Sequence, residues 1–508
     1  MSITSNQFIL FLLIALIVYY LAPKKVQWLV LLAASYAYYL LSSVPAAAFL
    51  LYSTVITYGG AWWIGRIYQK TGDRKTAKKI TKWIMLAAIL LDLGMLAYLK
   101  YTNFILANLN SLFHSNFSML ELLLPLGISY YTFQTVGYVL DVYWGRIEPE
   151  KNPLKYALFV AFFPQLVQGP IGRYKTLACQ LYESHPFSFR RIEFGLERIL
   201  WGIFKKMLIA DWAAVFAEAI FADPDKYAGI AIFGVLLYSA QLYADFSGGI
   251  DVMIGAASLF GVQMDENFQR PFFSVSLTDF WRRWHITLGS WMKDYVMYPL
   301  TLSKAMNRLG KSAKKVLGKK KGRLIPICIA NLIVFLVVGI WHGPTWSNIG
   351  WGLYNGVIIA FSSFFAAGYE TAKKKLHIND KAAWYRLFMI FRTFAIINIS
   401  WYFDCADSLG TTLKMMWYSV TRFEPSMFLQ ISSGKLGTAY TPYALLTLGI
   451  GILLLFTVSI LQEKGMHIRE TLAKRPLALR VAVCLLLLTA IPLFSPMAAA
   501  RGFIYAQF

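Results

Sequence analysis

Long apolar runs broken by short polar stretches recur along the whole chain, at residues 8–21, 28–41, 47–64, 83–99, 199–221, 230–243, 324–341, 349–365, 387–403, 443–461 and 481–493. About 20 apolar residues in a helix cross a ~30 Å hydrocarbon core. Several runs reach that length, and the shorter ones need polar flanks at the interface or a path that enters and leaves on one side. The pattern predicts an all-α polytopic membrane protein of about eleven transmembrane helices plus re-entrant segments. The outer thirds read as ordinary spans with short loops. The middle, from residue 124 to 361, interrupts its apolar runs with Pro, Gly, Asn, Gln and charges, as in "LPLGISYYTFQTVGYVLDVYWG", "FFPQLVQGPIGRYK" and "QLYADFSGGIDVMIGAASLFG". Polar or irregular backbone at membrane depth is tolerated only when buried in protein or lining a watery cavity. A chamber is therefore expected there. No linker separates soluble domains, and the chain reads as one membrane-embedded domain over 1–508, with N-terminal spans at 1–115, a core at 120–365 and C-terminal spans at 366–508.

Composition agrees with the pattern: only 15% of residues are charged, against about 25% in soluble proteins. The net charge of +23 would suggest nucleic acid in a soluble chain. Here the basic residues gather between spans, in "QKTGDRKTAKK" and "KSAKKVLGKKKGR", as expected of cytoplasmic loops facing anionic lipid. The lipid bilayer is thus the partner that the charge predicts, and no nucleic acid is expected. The alternation is self-consistent: "MSITSNQF" outside, Lys24 and Lys25 inside, "SSVP" outside, "QKTGDRKTAKK" inside. No positive region precedes the first apolar run, so a cleaved leader is not expected. The cysteines Cys179, Cys328, Cys405 and Cys484 have no paired spacing, and neither a metal site nor a disulfide framework is predicted.

Candidate chemistry narrows to a few residues. His114, His185, His377 and His467 sit in polar contexts, whereas His285 follows "WRRW" and His342 ends an apolar run in "VVGIWHGPTW". An ionisable residue at or within a span is a functional hypothesis, and the competing reading is a histidine satisfied by a backbone carbonyl at the interface. Nucleotide-binding GxxxxGK[ST], HExxH and GxSxG patterns are absent. Asp141 and Asp245 read either as proton relays or as partners of Arg173, Arg270, Arg282 or Arg283, because an unpaired buried carboxylate is expensive. Lys293 and Asp294 read as a local pair.

The ordered set "ENFQRPFFSVSLTDFWRRWHITLGSWMKDYVMYPL" (266–300) and "GIWHGPTWSNIGWGLYNG" (339–356), with the three interrupted blocks above and the terminal "FIYAQF", resembles the membrane-bound O-acyltransferase family. It is similar to the bacterial branch that holds the alginate O-acetyltransferase membrane subunit and the teichoic acid D-alanyl transfer protein. The resemblance implies a helical ring around a central funnel, with the family's invariant histidine at His342 and its second histidine at His285. It also implies a multi-pass protein of the bacterial cytoplasmic membrane.

On that resemblance, His342 is expected to take the proton of an acceptor hydroxyl, with His285 as a second proton carrier or a donor to the acyl carbonyl. Asn348 and Asn355 are candidates for carbonyl contacts. Trp281, Trp284, Trp291, Trp341 and Trp346 either wall the chamber or anchor at the interface. Arg282 and Arg283 are expected near acidic groups or donor phosphates, and Asp245 near the tunnel. No cofactor is expected to be bound permanently. Acetyl-CoA or an acyl carrier protein thioester is the expected donor, an extracytoplasmic glycan the expected acceptor, and an esterase-like membrane-tethered protein a possible partner. Two departures from the alginate-like branch leave the glycan open: a basic insertion after "YPL", and "DCA" at 404–406 where Phe-Arg-Ala is usual. D-alanyl transfer and solute transport are the alternatives.

Overall fold

The computed structural model describes residues 2–166, 168–406, 408–427, 442–496 and 502–503. Among them every regular element is a helix, and the one extended pairing is an isolated bridge between Phe268 and Trp284. The helices are α1 (Asn6–Leu21), α2 (Gln27–Ser42), α3 (Val44–Lys70), α4 (Arg74–Phe113), α5 (Ile128–Tyr143), α6 (Pro153–Ala161), α7 (Phe163–Leu166), α8 (Tyr174–Tyr182), α9 (Phe189–Phe204), α10 (Asp211–Phe221) and α11 (Ala231–Leu259). There follow α12 (Leu277–Arg283), α13 (Ile286–Met292), α14 (Tyr298–Thr301), α15 (Lys304–Gly322), α16 (Ile325–His342), α17 (Trp346–Lys375), α18 (Ala383–Cys405), α19 (Leu409–Thr421), α20 (Pro442–Glu463), α21 (Ile468–Ala473) and α22 (Leu477–Phe494).

Among the described residues, seven helices are long and apolar enough to cross a membrane: α3, α4, α11, α16, α17, α20 and α22. That is fewer than the eleven apolar runs suggest, and length explains most of the difference. Helices α1 and α2 have 16 residues each, or about 24 Å at 1.5 Å per residue. The run at 199–221 is divided among α9, a π-helical turn at Lys205–Ala210 and α10. The run at 387–403 lies within α18.

Caps fix where several helices start. Ser43 closes the turn between α2 and α3 by accepting from the Ala46 amide, and Asp73 starts α4 by accepting from the Lys75 and Thr76 amides, satisfying donors that a helix start leaves open. Hydrogen bonds join Tyr20 to Leu259, Tyr68 to Tyr143 and Gln27 to His185. The ends of α1, α3, α5 and α11 and the start of α2 therefore share one face with Lys24, Lys25 and the basic 69–79 turn.

The interrupted middle is built of short pieces, α6 to α8 and α12 to α14, held between the long helices. Helices α16 and α17 form an antiparallel pair at glycine contacts. A Cβ on Gly339 would stand 2.4 Å from the Asn348 carbonyl oxygen, and one on Gly352 would stand 2.5 Å from the Phe335 carbonyl oxygen. Small residues that let backbones approach are a membrane-helix packing device. Here they fix the end of α16, which carries His342.

Candidate active site

His342 is the last residue of α16, and Gly343 and Pro344 end the helix behind it. The side chain is buried, with its ring stacked on Trp351 of α17 at 4.6 Å and 28°. Trp341 lies beside it at 5.4 Å between ring centroids. Lys100 enters from α4 and donates from Nζ to the Trp341 carbonyl, while Tyr101 donates to the Ile340 carbonyl at 2.8 Å. Carbonyls at a helix end lack partners within the helix, so α4 caps the last turn of α16 with a cation and a hydroxyl. The Lys100 ammonium also sits 5.8 Å from the Trp341 ring centroid.

His285 occupies the bend between α12 and α13 in the left-handed region, with φ 48° and ψ 53°. That conformation is uncommon outside glycine and tends to cluster at functional sites. Asn267, which is fully buried, holds the bend. Its Oδ1 accepts from the Thr287 amide at 3.0 Å and from Thr287 Oγ1 at 2.9 Å, and lies 3.3 Å from His285 Nδ1. The Thr287 amide identifies that end of the amide group as oxygen. An oxygen only accepts, so neutral His285 carries its hydrogen on Nδ1 and keeps the Nε2 lone pair. The bend is tied again by the Ile286 amide to the Asn267 carbonyl and by the Gln269 amide to the Arg283 carbonyl.

Trp341 joins the two histidines: its ring lies 6.2 Å from that of His285. Phe246 meets His285 edge-on at 4.8 Å, and Tyr130 stands 6.5 Å from His285 and 6.1 Å from Trp341. Around this pair, the buried indole nitrogens of Trp281, Trp341, Trp351 and Trp401, the Tyr130 hydroxyl and Asn355 Oδ1 have no hydrogen-bond partner among the described residues. Buried polar atoms are nearly always paired, so these atoms leave hydrogen-bonding capacity unmet around the two histidines.

The structure thus brings together His285, His342, Trp341 and Trp284, the last packed 5.5 Å from Trp401. Asn355 is buried one turn along from Trp351, whose carbonyl takes its Nδ2 hydrogen bond. Asn348 is half-buried at the α17 start, with Nδ2 crowding Gly343. Arg282 is exposed, and Arg283 pairs with Asp279 and Glu463, both at 3.1 Å. Trp346 is 57% exposed and donates to Asn108, so it sits at the outside of the bundle and not in the chamber wall.

Three expected pairings are corrected. Asp245 meets Lys206 at 2.6 Å, with Asp211 on the same ammonium at 2.8 Å. Asp141 pairs with Arg146 and accepts from Tyr295. Asp294 pairs with Arg173, while Lys293 lies over the Tyr298 ring. Asp245 and Asp294 take partners 39 and 121 residues away, which local sequence does not encode, whereas Asp141 takes Arg146, five residues on and just past the end of its own helix. Of the terminal "FIYAQF", Phe503 is buried with Lys206 Nζ 4.8 Å from its ring, and residues 504–508 lie outside the described residues. Asn267 and Lys100 are the site residues that sequence reasoning missed. Lys100 had a signal, as a lone cation at the end of an apolar run, and Asn267 had none.

Residues 150–313 match the model of MBOAT, the membrane-bound O-acyltransferase family. His285 falls inside that match. The chain is 34% identical over 421 residues to the probable alginate O-acetylase AlgI of Pseudomonas syringae, covering 82% of this chain and 74% of that protein. It belongs to the membrane-bound O-acyltransferase family. This acyltransferase is also 35% identical to the peptidoglycan O-acetyltransferase of Helicobacter pylori over 66% of the chain and 64% of that protein. Against the teichoic acid D-alanyltransferase of Bacillus subtilis the figures are 30%, 54% and 67%. The acyltransferase is therefore a multi-pass membrane enzyme whose similar relatives are bacterial proteins.

Proposed function

We propose that this acyltransferase moves an acetyl group from a thioester donor on the face of its basic loops to a hydroxyl of an extracytoplasmic cell-surface polysaccharide, directly or through a membrane-tethered esterase-like partner. The membrane is the bacterial cytoplasmic one, with the basic loops inside. The observation that carries the reading is the pair of buried histidines against one indole, in a chain similar over most of its length to named O-acetylases. Acetyl-CoA or an acyl carrier protein thioester is the donor.

His342 takes the proton of the acceptor hydroxyl, and the oxygen attacks the thioester carbonyl. The carbon–sulfur bond breaks, the thiolate leaves, and the proton returns to sulfur, giving an ester and a free thiol. The buried indole N–H groups of Trp341 and Trp351 are suited to a carbonyl oxygen that gains charge, which is where fixed donors act most strongly. With Nδ1–H committed to Asn267, His285 serves as a second proton carrier through Nε2. A site lined by rings excludes water as a competing acceptor.

Lys100 is a positioning residue in this scheme, since it holds the carbonyl next to His342. Lys100→Met is expected to lower kcat by up to about 10²-fold with little change in donor KM, since small misplacements of a catalytic group cost that much. Lys100→Arg should recover part of the loss. Equal losses in both variants, or a rise in KM alone, would remove Lys100 from the role.

The experiment for the function offers the purified enzyme in liposomes radiolabelled acetyl-CoA or a D-alanyl carrier protein, each with a polysaccharide or a teichoic acid acceptor. Acetyl ester on sugar is the expected product. D-alanyl ester alone would favour the second reading, which the Bacillus relative supports, and solute flux with neither ester would put a transporter in its place.

A further inference from the structure

A cavity of about 660 Å³ lies between the core helices α9 and α11 and the C-terminal helices α20 and α22. Its walls are of two kinds. Along α20 and α22 it is lined by Leu454, Leu455, Val458, Val483, Leu486 and Leu487. Leu454 and Leu486 are also 43% and 67% exposed on the outside of the bundle, so the apolar end is continuous with the lipid-facing surface. Its other end is charged. Arg198 and Lys205 are buried there on Asp251, with Arg198 also paired to Glu266.

Arg469, on α21, stands where this cavity meets two others of about 430 and 340 Å³. The first of these is lined by Arg190, Arg191, Arg198 and Arg469 against a single acid, Glu266. Among the described residues Arg469 makes one hydrogen bond, to the Phe194 carbonyl at 3.3 Å, lies over the Phe194 ring, and shares the cavity wall with the Glu197 carboxylate. Gly261 packs on His185 and Arg191, which places this basic end on the face of the cytoplasmic loops. The cavity does not reach the histidines. Tyr243 and Phe268 line it, and Phe268 backs edge-on against Phe246 and Trp284.

We infer that this groove holds an anionic phospholipid of the cytoplasmic leaflet, with its phosphate among Arg469, Arg190 and Arg191 and an acyl chain along α20 and α22. With Arg198 taken by Asp251 and Glu266, the three guanidinium groups of Arg190, Arg191 and Arg469 stand against the Glu197 carboxylate, an excess that fits a net negative phosphate head, for which arginine forks are suited. The lateral apolar end fits a chain that never leaves the bilayer. Such a lipid binds α20 and α22 to the catalytic core from the membrane side. A thioester donor is disfavoured as occupant because the Tyr243–Phe268 wall separates the cavity from His285.

The test is native mass spectrometry of the full-length protein in detergent, titrated with dioleoylphosphatidylglycerol, dioleoylphosphatidylcholine, inorganic phosphate or coenzyme A. One phosphatidylglycerol is expected to stay bound per chain and to raise the melting temperature, since a ligand of the folded state stabilises it. Arg469→Gln is expected to weaken that binding about tenfold or more, and Arg469→Lys to weaken it less. Val458→Trp, which fills the apolar end and leaves the cations in place, is expected to abolish chain retention while inorganic phosphate still binds. Equal retention of phosphatidylcholine, unchanged phosphatidylglycerol binding in both Arg469→Gln and Val458→Trp, or displacement of the lipid by coenzyme A would overturn the inference.

Discussion

His342→Ala is expected to yield an enzyme that inserts, folds and melts close to wild type, yet forms acyl ester at least about 10²–10⁴-fold more slowly, the range a positioned general base contributes. The ring fills space against Trp351 at 4.6 Å, so the alanine variant also leaves a small cavity. His342→Gln separates the two effects, because it restores volume and polarity but takes no proton near neutral pH. Both variants should be inactive, with the glutamine variant the closer to wild type in thermal stability. Ester formation by either at near wild-type rate would remove the base from this position, whatever the stability.

The second large effect is on stability. Lys206 lies 2% exposed between Asp211 and Asp245, at 2.8 and 2.6 Å. It also donates to the Gly502 carbonyl at 3.3 Å and covers Phe503. Lys206→Ala would leave two carboxylates in the interior without its charge, which costs about 3–5 kcal/mol for a buried pair broken on one side. The expected result is a lowered melting temperature and loss of the protein from the membrane fraction. Lys206→Met with Asp211→Asn and Asp245→Asn should recover much of that stability, because apolar and neutral replacement of a whole buried cluster is often tolerated. A Lys206→Ala protein as stable as wild type would mean that the cluster is not an integral part of the fold. The π-helical turn at Lys205–Ala210 explains how consecutive lysines, Lys205 and Lys206, both point inward to different acids.

These two residues differ in how much of them the sequence revealed. Apart from Leu324 the eleven apolar runs lie in helix, because apolar run length acts locally. Of the three interrupted blocks only "FFPQLVQGPIGRYK" falls on short helices and bends, whereas most of the first forms α5 and "QLYADFSGGIDVMIGAASL" runs unbroken in α11. Local context set His342, at the end of an apolar run, and His285, after "WRRW", apart from the other four histidines, and the family resemblance rather than local pattern assigned them to a site. The partners were not legible. Lys206 reaches Asp245, 39 residues on, Arg173 reaches Asp294, 121 residues on, and Lys100 reaches the Trp341 carbonyl, 241 residues on. Which cation meets which acid depends on how helices pack, and the short-range spacing that betrays a helix carries no record of it. Trp346 shows the same limit from the other side. It shares its motif with His342, yet the turn at Gly343 and Pro344 sends it outward to Asn108.

The central claim is that a donor on the side of the basic loops and an acceptor on the opposite side meet at His342. It is tested by reconstituting the enzyme in one orientation in sealed vesicles, with a labelled acetyl thioester confined to the side of Lys24, Lys25 and the 311–323 cluster and a polysaccharide acceptor confined to the other. The account predicts labelled ester on the far side, absent with His342→Ala. Ester that forms only when donor and acceptor share a compartment would contradict it.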